Sequence, residues 1–309
     1  MMNTFFKAFL RRIPGLRRRA DAASDSRLKM LPEGGPLPGI PAPVTGACPR
    51  AGIVIVSYFA LPYLRQCLNS VLNRTAWPDF RVVVVDNGSD AETLGFLRAA
   101  ARGDPRLTVI ENGANLGFAA ANNIGLRTLD DCAYLVLLNN DTVVPPDWLG
   151  ALIRHAAKPE VGLAGPVTNW TGNEARIEVD YTTVAGMERF AASQARSHAG
   201  RVFDIAVLAM YCLVFRREVL ARVGELDEGY KVGMFEDQDY AESTRKLGLR
   251  VVCCEDAFVH HYGMASFSKL NPDDYQRLFD QNRQYYEKKW GHPWMPHRDR
   301  SSGEKGEPA

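Results

Sequence analysis

From Gly52 onward, stretches of unbroken apolar residues alternate with stretches in which apolar residues recur every three or four positions. "GIVIVSY" is a continuous apolar run of the kind found in strands buried on both faces. "PYLRQCLNSVLNRT" follows, with Leu64, Cys67, Leu68, Val71 and Leu72 at helical spacing and Pro62 near its start. "RVVVVDNGSD" is a second buried strand that ends in a turn, and "AETLGFLRAAAR" is helical. "LTVIEN", "FAAANNIGLRTL" and "AYLVLLNN" then read as strand, helix and strand. Repeated β-α-β units predict a mostly parallel, twisted α/β sheet with helices on both faces.

Beyond about residue 165 the alternation fades. "AVLAMYCLVFRREVL" predicts a strand feeding a helix, and "FEDQDYAESTRKLG" a helix start with acids in its first turn. "RVVCCEDAFVHHYG" predicts one or two short strands. "PDDYQRLFDQNRQYYEKKWG" predicts a C-terminal helix ended by Gly291 and Pro293.

Polar residues cluster at three strand ends: Ser57-Tyr58, Asp86-Asn87-Gly88-Ser89 and Asn139-Asn140-Asp141. Each cluster alone is ordinary turn chemistry. Parallel strands, however, deliver their carboxyl ends to one rim, where ligands of open α/β sheets bind. Three polar strand ends therefore point to a shared cleft.

Composition narrows the class. The 309 residues are 46% hydrophobic and 24% charged with a net charge of +1, so the chain is globular and not built to follow a nucleic acid. Six cysteines without a C-x-x-C pattern fit reduced thiols in a cytoplasmic protein. No apolar run reaches the length of a membrane span, and the first ten residues make a poor secretory signal. Residues 1–19 hold six Lys or Arg and no acid, interleaved with Phe5, Phe6, Phe9 and Leu10. Two readings stand: an amphipathic helix in peripheral contact with the inner membrane face, or a disordered basic tail. "LPEGGPLPGIPAPVTGACPR" is dense in Pro and Gly and reads as a linker. The expected plan is a basic segment and linker over 1–50, a catalytic domain over 51–268, a helical extension over 269–298 and a disordered tail over 299–309.

No G-x-G-x-x-G follows the first strand and no P-loop is present, which argues against a common dinucleotide site or a P-loop NTPase. The remaining chemistry is Asp86, Asp141, the group Glu236, Asp237 and Asp239, and the pair His260-His261. Hard oxygen ligands with few neighbours suit Mg²⁺ or Mn²⁺ holding a diphosphate.

"VVVVDNGSDAET", "ENGANLGFAAANNIG", "LLNNDTVVPPDWL", "FEDQDYAESTRKLG" and "VHHYGMASF" together resemble the successive motifs of family-2 glycosyltransferases with the GT-A fold. The likeness is nearest to bacterial rhamnosyltransferase-like and O-antigen-type members, and covers roughly Ile53 to Phe267 in the family's order. The resemblance implies transfer of a sugar from a nucleotide-diphosphate donor, with inversion, to a glycan or lipid-linked acceptor. By the same resemblance, Asp86 meets the pyrimidine ring, Ser57 and Tyr58 edge the base pocket, and Asn115, Gly117 and Asn123 line the donor. Asn140 binds the nucleotide sugar, next to Asp141, the last acid of the metal motif. His261 sits by metal or diphosphate, and Asp237, beside Glu236, is the general base.

Two departures stand out. Asn139 replaces the acid that opens the familiar metal motif, and Phe59 stands where many relatives carry Asn. Which member of Glu236/Asp237 and of His260/His261 carries its role stays open. Both acids also suit a helix start by favouring its dipole. Asn169, Asn173 and Glu174 read equally as sugar contacts or as a polar loop, and Trp290 and Trp294 as packing residues. The alternatives to sugar transfer are a sugar nucleotidyltransferase, which would need a basic Gly-rich loop that "SYFALPYLRQ" lacks, and a glycan-binding protein without turnover.

Overall fold

Three of the apolar runs, β1 (Ala51–Ser57), β2 (Phe80–Asp86) and β4 (Tyr134–Asn139), lie side by side and run the same way. Their faces alternate between two cores. Ile53, Ile55, Val82, Val84, Val136 and Leu138 face one side, where α1 (Leu61–Arg74), α2 (Ala91–Gly103) and α4 (Trp148–Ala156) supply Leu64, Leu68, Leu97, Trp148 and Leu152. Val54, Val83, Val85, Leu135 and Leu137 face the other, against Leu126 of α3 (Phe118–Arg127), Met187 of α5 (Val184–Ser197) and Tyr240 of α7 (Glu236–Lys246). Burial on both faces is why these strands lack polar alternation. This computed structural model describes residues 30–41, 48–263, 272–297 and 300; the basic N-terminal segment 1–19 and the tail 301–309 lie outside them.

The remaining strands are β3 (Leu107–Glu111), β6 (Val161–Val167), β7 (Val202–Asp204), β8 (Cys212–Arg216) and β9 (Arg250–Phe258). The sheet order is β3-β2-β1-β4-β8-β6-β9-β7. β8 is antiparallel to β4 and β6, β7 is antiparallel to β9, and the other pairings are parallel. A two-residue strand β5 (Thr142–Val143) pairs antiparallel with β10 (His260–His261) beside the main sheet. α6 (Arg217–Val223) follows β8.

The apolar pattern misjudges the second half of the sheet. "RVVCCEDAF" is one nine-residue strand rather than short pieces. β6 escapes the pattern because Gly162, Gly165 and Pro166 dilute it. Packing demands the glycines: a Cβ on Gly162 would lie 2.3 Å from Thr244 Cγ2, and one on Gly165 2.7 Å from Leu208 Cδ2. Pro166 falls where the register with β9 shifts, as a strand proline must.

The C-terminal helix α8 (Pro272–Trp290) docks on α7. Trp290 Nε1 donates to Asp239 Oδ1 at 2.8 Å, Lys289 Nζ to Asp239 Oδ2 at 2.9 Å, and Tyr286 Oη to Glu242 Oε2 at 2.9 Å. Phe235, Tyr230 and Tyr286 form a third small core there, with Trp290 and Trp294 packed against it.

The Pro/Gly-rich linker is more than a tether. Residues 30–41 form neither helix nor strand, yet they lie as a strap on the body. Val184 N donates to Pro32 O at 2.9 Å, Ala185 N to Glu33 O at 3.0 Å, and Leu31 N to Tyr262 Oη at 2.8 Å. Arg74 Nη2 reaches Pro38 O at 2.6 Å while the same guanidinium holds both oxygens of Glu188 at 2.6 and 2.8 Å. Glu188 is 1% exposed, so its loss strands a half-wrapped guanidinium. Glu188→Ala is expected to lower unfolding free energy by about 3–5 kcal/mol. A urea titration at neutral pH reads this directly, and an unchanged midpoint would mean the pair contributes nothing.

Candidate active site

Parallel register sets Ser57 opposite Asp86, and Asn87 N donates to Ser57 O at 2.7 Å. Asp86 Oδ2 accepts from the N–H groups of Gly88 (3.2 Å) and Ser89 (3.0 Å), closing the turn expected of it. Its other oxygen, Oδ1, is buried without a partner among the described residues, as is Ser57 Oγ. Buried polar atoms are rarely left unpaired unless something else completes them. Tyr58 is half-buried and meets Phe59 edge to face at 4.8 Å. Phe59 and Ala60 both adopt left-handed backbone, φ 55° and 58°, and Ser89 Oγ accepts from Phe59 N at 2.9 Å. Asn tolerates that conformation better than any bulky residue, which accounts physically for an Asn at this position elsewhere.

Asn87 is the hub that the strand-end motif concealed. Its amide donates to Asn115 Oδ1 (2.8 Å), and its oxygen accepts from Asn112 Nδ2 (3.1 Å) and Leu116 N (3.0 Å). Asn115 and Gly117 are thereby held against the rim. Gly117 has φ 91°, and a Cβ there would stand 3.4 Å from Val232 N. Asn123 does not line this surface. It is 1% exposed; its amide donates to Leu226 O and Glu228 Oε1, each at 2.9 Å, and its oxygen accepts from Leu226 N at 3.0 Å. All its hydrogen-bonding capacity towards this loop goes into bracing residues 226–228, so its expected donor contact is corrected to a structural one.

On the next strand end, Thr142 Oγ1 donates to Asn139 O at 2.8 Å and Tyr262 N to Asp141 O at 2.9 Å. The β5–β10 ladder sets His261 opposite Thr142. His261 Nε2 consequently stands 3.3 Å from Asp141 Oδ1. The two adjacent histidines have different surroundings. His260 is buried, its Nδ1 2.6 Å from Tyr181 Oη, and burial pushes it down to about 3, keeping it neutral. His261 alone faces the aspartate. Burial works against its protonation, but the Asp141 charge and the Trp170 carbonyl outweigh that and raise it above the ordinary range.

Trp170 O is only an acceptor and lies 2.9 Å from His261 Nδ1, so Nδ1 carries the proton and donates. Protonated, Nε2 pairs with Asp141 Oδ1; deprotonated, it offers its lone pair to a cation bound between the two. Donor set and geometry therefore fit a divalent ion. Among the described residues no cluster of three or more His, Cys, Asp or Glu offers a complete protein cage, so a diphosphate and water would have to supply the rest. Asn169 brackets the His261 backbone, accepting from its N–H at 2.8 Å and donating to its carbonyl at 3.0 Å, and Tyr211 stacks on the ring at 5.0 Å. Asn173 donates to Val207 O at 2.8 Å. Both asparagines thus act as loop brackets. Asn140, which follows the end of β4, is buried with Nδ2 unpaired among the described residues.

Glu236 and Asp237 open α7, whose preceding residues abut the loop that ends in Gly117: Phe118 N donates to Val232 O at 2.9 Å. Asp237 Oδ1 accepts from Gln238 N at 2.8 Å, and Glu236 Oε2 is buried without a partner among the described residues. Burial first, then the neighbouring Asp237 charge, pushes Glu236 up to about 8. Burial also raises Asp237, opposed by His297 and by the Gln238 N–H. Burial thus favours the neutral form of both carboxyls, and the Asp237 charge adds to the rise at Glu236. The folded state holds the Glu236 proton to about pH 8, while the unfolded chain releases it near its ordinary value of 4.5. Stability from this group accordingly falls as pH rises through that window. Glu236→Gln should flatten the decline of Tm between about pH 5 and 8.5. An identical slope in the variant would contradict the assignment.

Fold and rim together define a GT-A scaffold, and the chain belongs to glycosyl transferase family 2: that family's profile, described as "Glycosyl transferase family 2", matches residues 52–224. The chain is 29% identical over 233 residues to the O-antigen biosynthesis protein RfbC of Myxococcus xanthus, covering 72% of this chain and 18% of that protein. It is 26% identical over 249 residues to the N-acetylglucosaminyl-diphospho-decaprenol L-rhamnosyltransferase of Mycobacterium tuberculosis, covering 68% of this chain and 75% of the relative. An uncharacterised protein, y4gI, of Sinorhizobium fredii is 27% identical over 253 residues, which are 78% of this chain and 28% of its own length. The chain thus spans less than a third of two of these curated relatives. Among solved structures it is similar to a mannosyltransferase from Pyrobaculum calidifontis in complex with GDP-Man and Mn²⁺. That likeness has a TM-score of 0.59 and 20% identity, covers 82% of this chain and 68% of the other, and is one of fold.

Proposed function

We propose that this chain transfers a sugar from a nucleotide-diphosphate donor, of dTDP-rhamnose or UDP-hexose type, to a hydroxyl of a surface-glycan or lipid-linked acceptor, with inversion. One observation carries the reading. Ser57 Oγ, Asp86 Oδ1 and Asn140 Nδ2 are buried without a partner among the described residues, at the carboxyl ends of adjacent parallel strands, where Asp141 pairs with His261. An acceptor oxygen at Asp86 and a donor at Asn140 suit the polar edges of a nucleotide.

In this reading Asp86 Oδ1 accepts from the base while its Oδ2 stays bound to the turn. Tyr58 and Phe59 give the base an aromatic edge. Asn115 and Gly117, fixed by Asn87, wall the donor on the side of α7. Asp141 and His261 would hold a divalent cation, Mg²⁺ or Mn²⁺, which supplies charge stabilisation for the leaving diphosphate. Asp237 accepts the proton of the acceptor hydroxyl as that oxygen bonds to the anomeric carbon and the bond to the diphosphate breaks. Glu236, protonated at neutral pH, adds no second negative charge beside the base. Both the family membership and the lack of a basic Gly-rich loop after β1 favour sugar transfer over nucleotidyl transfer.

No helix of the described residues is long and apolar enough to cross a membrane. The basic residues of segment 1–19 fit docking on an anionic membrane surface near a lipid-linked acceptor. The reading is tested by supplying dTDP-rhamnose, UDP-glucose, UDP-GlcNAc and GDP-mannose in turn, with Mn²⁺ or Mg²⁺. Nucleoside diphosphate release is followed with and without a GlcNAc-diphospho-lipid. Acceptor-dependent release supports it. Pyrophosphate release from a nucleoside triphosphate, or glycan binding without turnover, overturns it.

A further inference from the structure

Asn282 lies in the middle of α8, is 2% exposed, and turns its amide away from its own helix. Its Nδ2 donates to the carbonyls of Gly233 at 2.8 Å and of Lys231 and Met234 at 3.2 Å each. Those carbonyls belong to the turn that leads into α7. Within it Val232, Met234 and Phe235, none of them glycine, have φ of 63°, 81° and 74°. Left-handed backbone is unfavourable for side chains of this kind, above all for β-branched valine, and persists only where surroundings over-determine it.

The surroundings do so from two sides. Phe118 N donates to Val232 O at 2.9 Å, and the missing side chain of Gly117 lets the turn approach to van der Waals contact. From the opposite side comes Asn282. A side-chain amide offers two hydrogens on one compact, uncharged nitrogen, and here they are shared among three carbonyl oxygens. Met234, whose carbonyl it holds, is two residues from Glu236 and three from Asp237. α7 has no side-chain cap of its own, since Phe235 occupies the N-cap position.

We propose that Asn282 is a positioning residue. By clamping the strained turn 231–235 it fixes the direction in which Glu236 and Asp237 enter the cleft, which makes the C-terminal helix part of the catalytic apparatus. The proposal rests on the reading of Asp237 as base. Asn282 is buried with its amide spent on these carbonyls, so its removal is expected to act on the chemical step rather than on nucleotide affinity.

The experiment compares Asn282→Ala, Asn282→Ser, Tyr285→Phe and Asp237→Asn, using whichever donor of the screen above the wild type turns over. Tyr285, on the same helix, bonds Asp227 and reports on helix docking alone. Asn282→Ala is expected to lower kcat by about 10²-fold, the scale of a misplacement near 1 Å. The Kd of the matching nucleoside diphosphate with Mn²⁺ and the donor KM should change less than about twofold. Asn282→Ser keeps one donor and should recover part of kcat; it also serves if the alanine variant does not fold. Tyr285→Phe should stay near wild type.

An unchanged kcat in either folded Asn282 variant, or a loss shared equally by nucleotide affinity, overturns the positioning role while leaving an inactive Asp237→Asn to uphold the base. Full turnover in Asp237→Asn, or a wild type inert on every donor, removes the base reading and the proposal with it.

Discussion

Asp237→Asn is expected to lower kcat by about 10³-fold, within the span usual for a general base, while leaving nucleoside diphosphate affinity within about twofold. Asparagine has the same shape, and its Oδ1 can still accept from Gln238 N, so the start of α7 is preserved. It cannot take a proton from a hydroxyl. Burial raises the native Asp237, so its ionised form is disfavoured in the fold, and the neutral amide should not lower Tm. Steady-state kinetics together with a nucleotide titration separates the two effects. Wild-type kcat in this variant would remove Asp237 as base and pass the role to Glu236, whose Oε2 is buried and unpaired among the described residues.

Asp141→Ala is expected to weaken nucleoside diphosphate binding in Mn²⁺ by about 10²-fold, or near 3 kcal/mol. The effect should be large because protein ligands are few. Asp141 Oδ1 and His261 Nε2 stand 3.3 Å apart, and no further acid or imidazole completes a cage among the described residues. The carbonyl of residue 141 still accepts from Tyr262 N in the variant, so the ladder that carries His261 stays intact. Titrations of UDP or dTDP in Mn²⁺ and again in EDTA form the check. The gap between wild type and variant should close in EDTA. A gap of equal size in both media would mean that Asp141 acts on the nucleotide without a cation.

Burial on both faces leaves a local record in sequence, because the central side chains of β1, β2 and β4 are apolar whichever face they point to. That record, with the helical spacing of Leu64, Cys67, Leu68 and Val71, was enough to predict the sheet, its parallel half and a polar rim holding Ser57, Asp86 and Asp141. The order of motifs was enough to predict the GT-A scaffold. β6 was not legible, because close approach of Thr244 and Leu208 demands glycines where a strand pattern expects branched side chains.

Other decisions belong to tertiary structure alone. Two adjacent histidines look alike in sequence, but the β5–β10 register turns His261 toward Asp141 and leaves His260 with Tyr181. Asn123 reads as a donor residue until the 226–228 loop is seen to use its amide. The proline-rich strap reads as a tether until Pro32, Glu33 and Pro38 meet α5 and α1. Periodicity and turn chemistry act between near neighbours, so the chain alone determined the elements and the rim. The partners of each polar side chain lie up to hundreds of residues away, and only the register and packing of the folded sheet decided which of them meet.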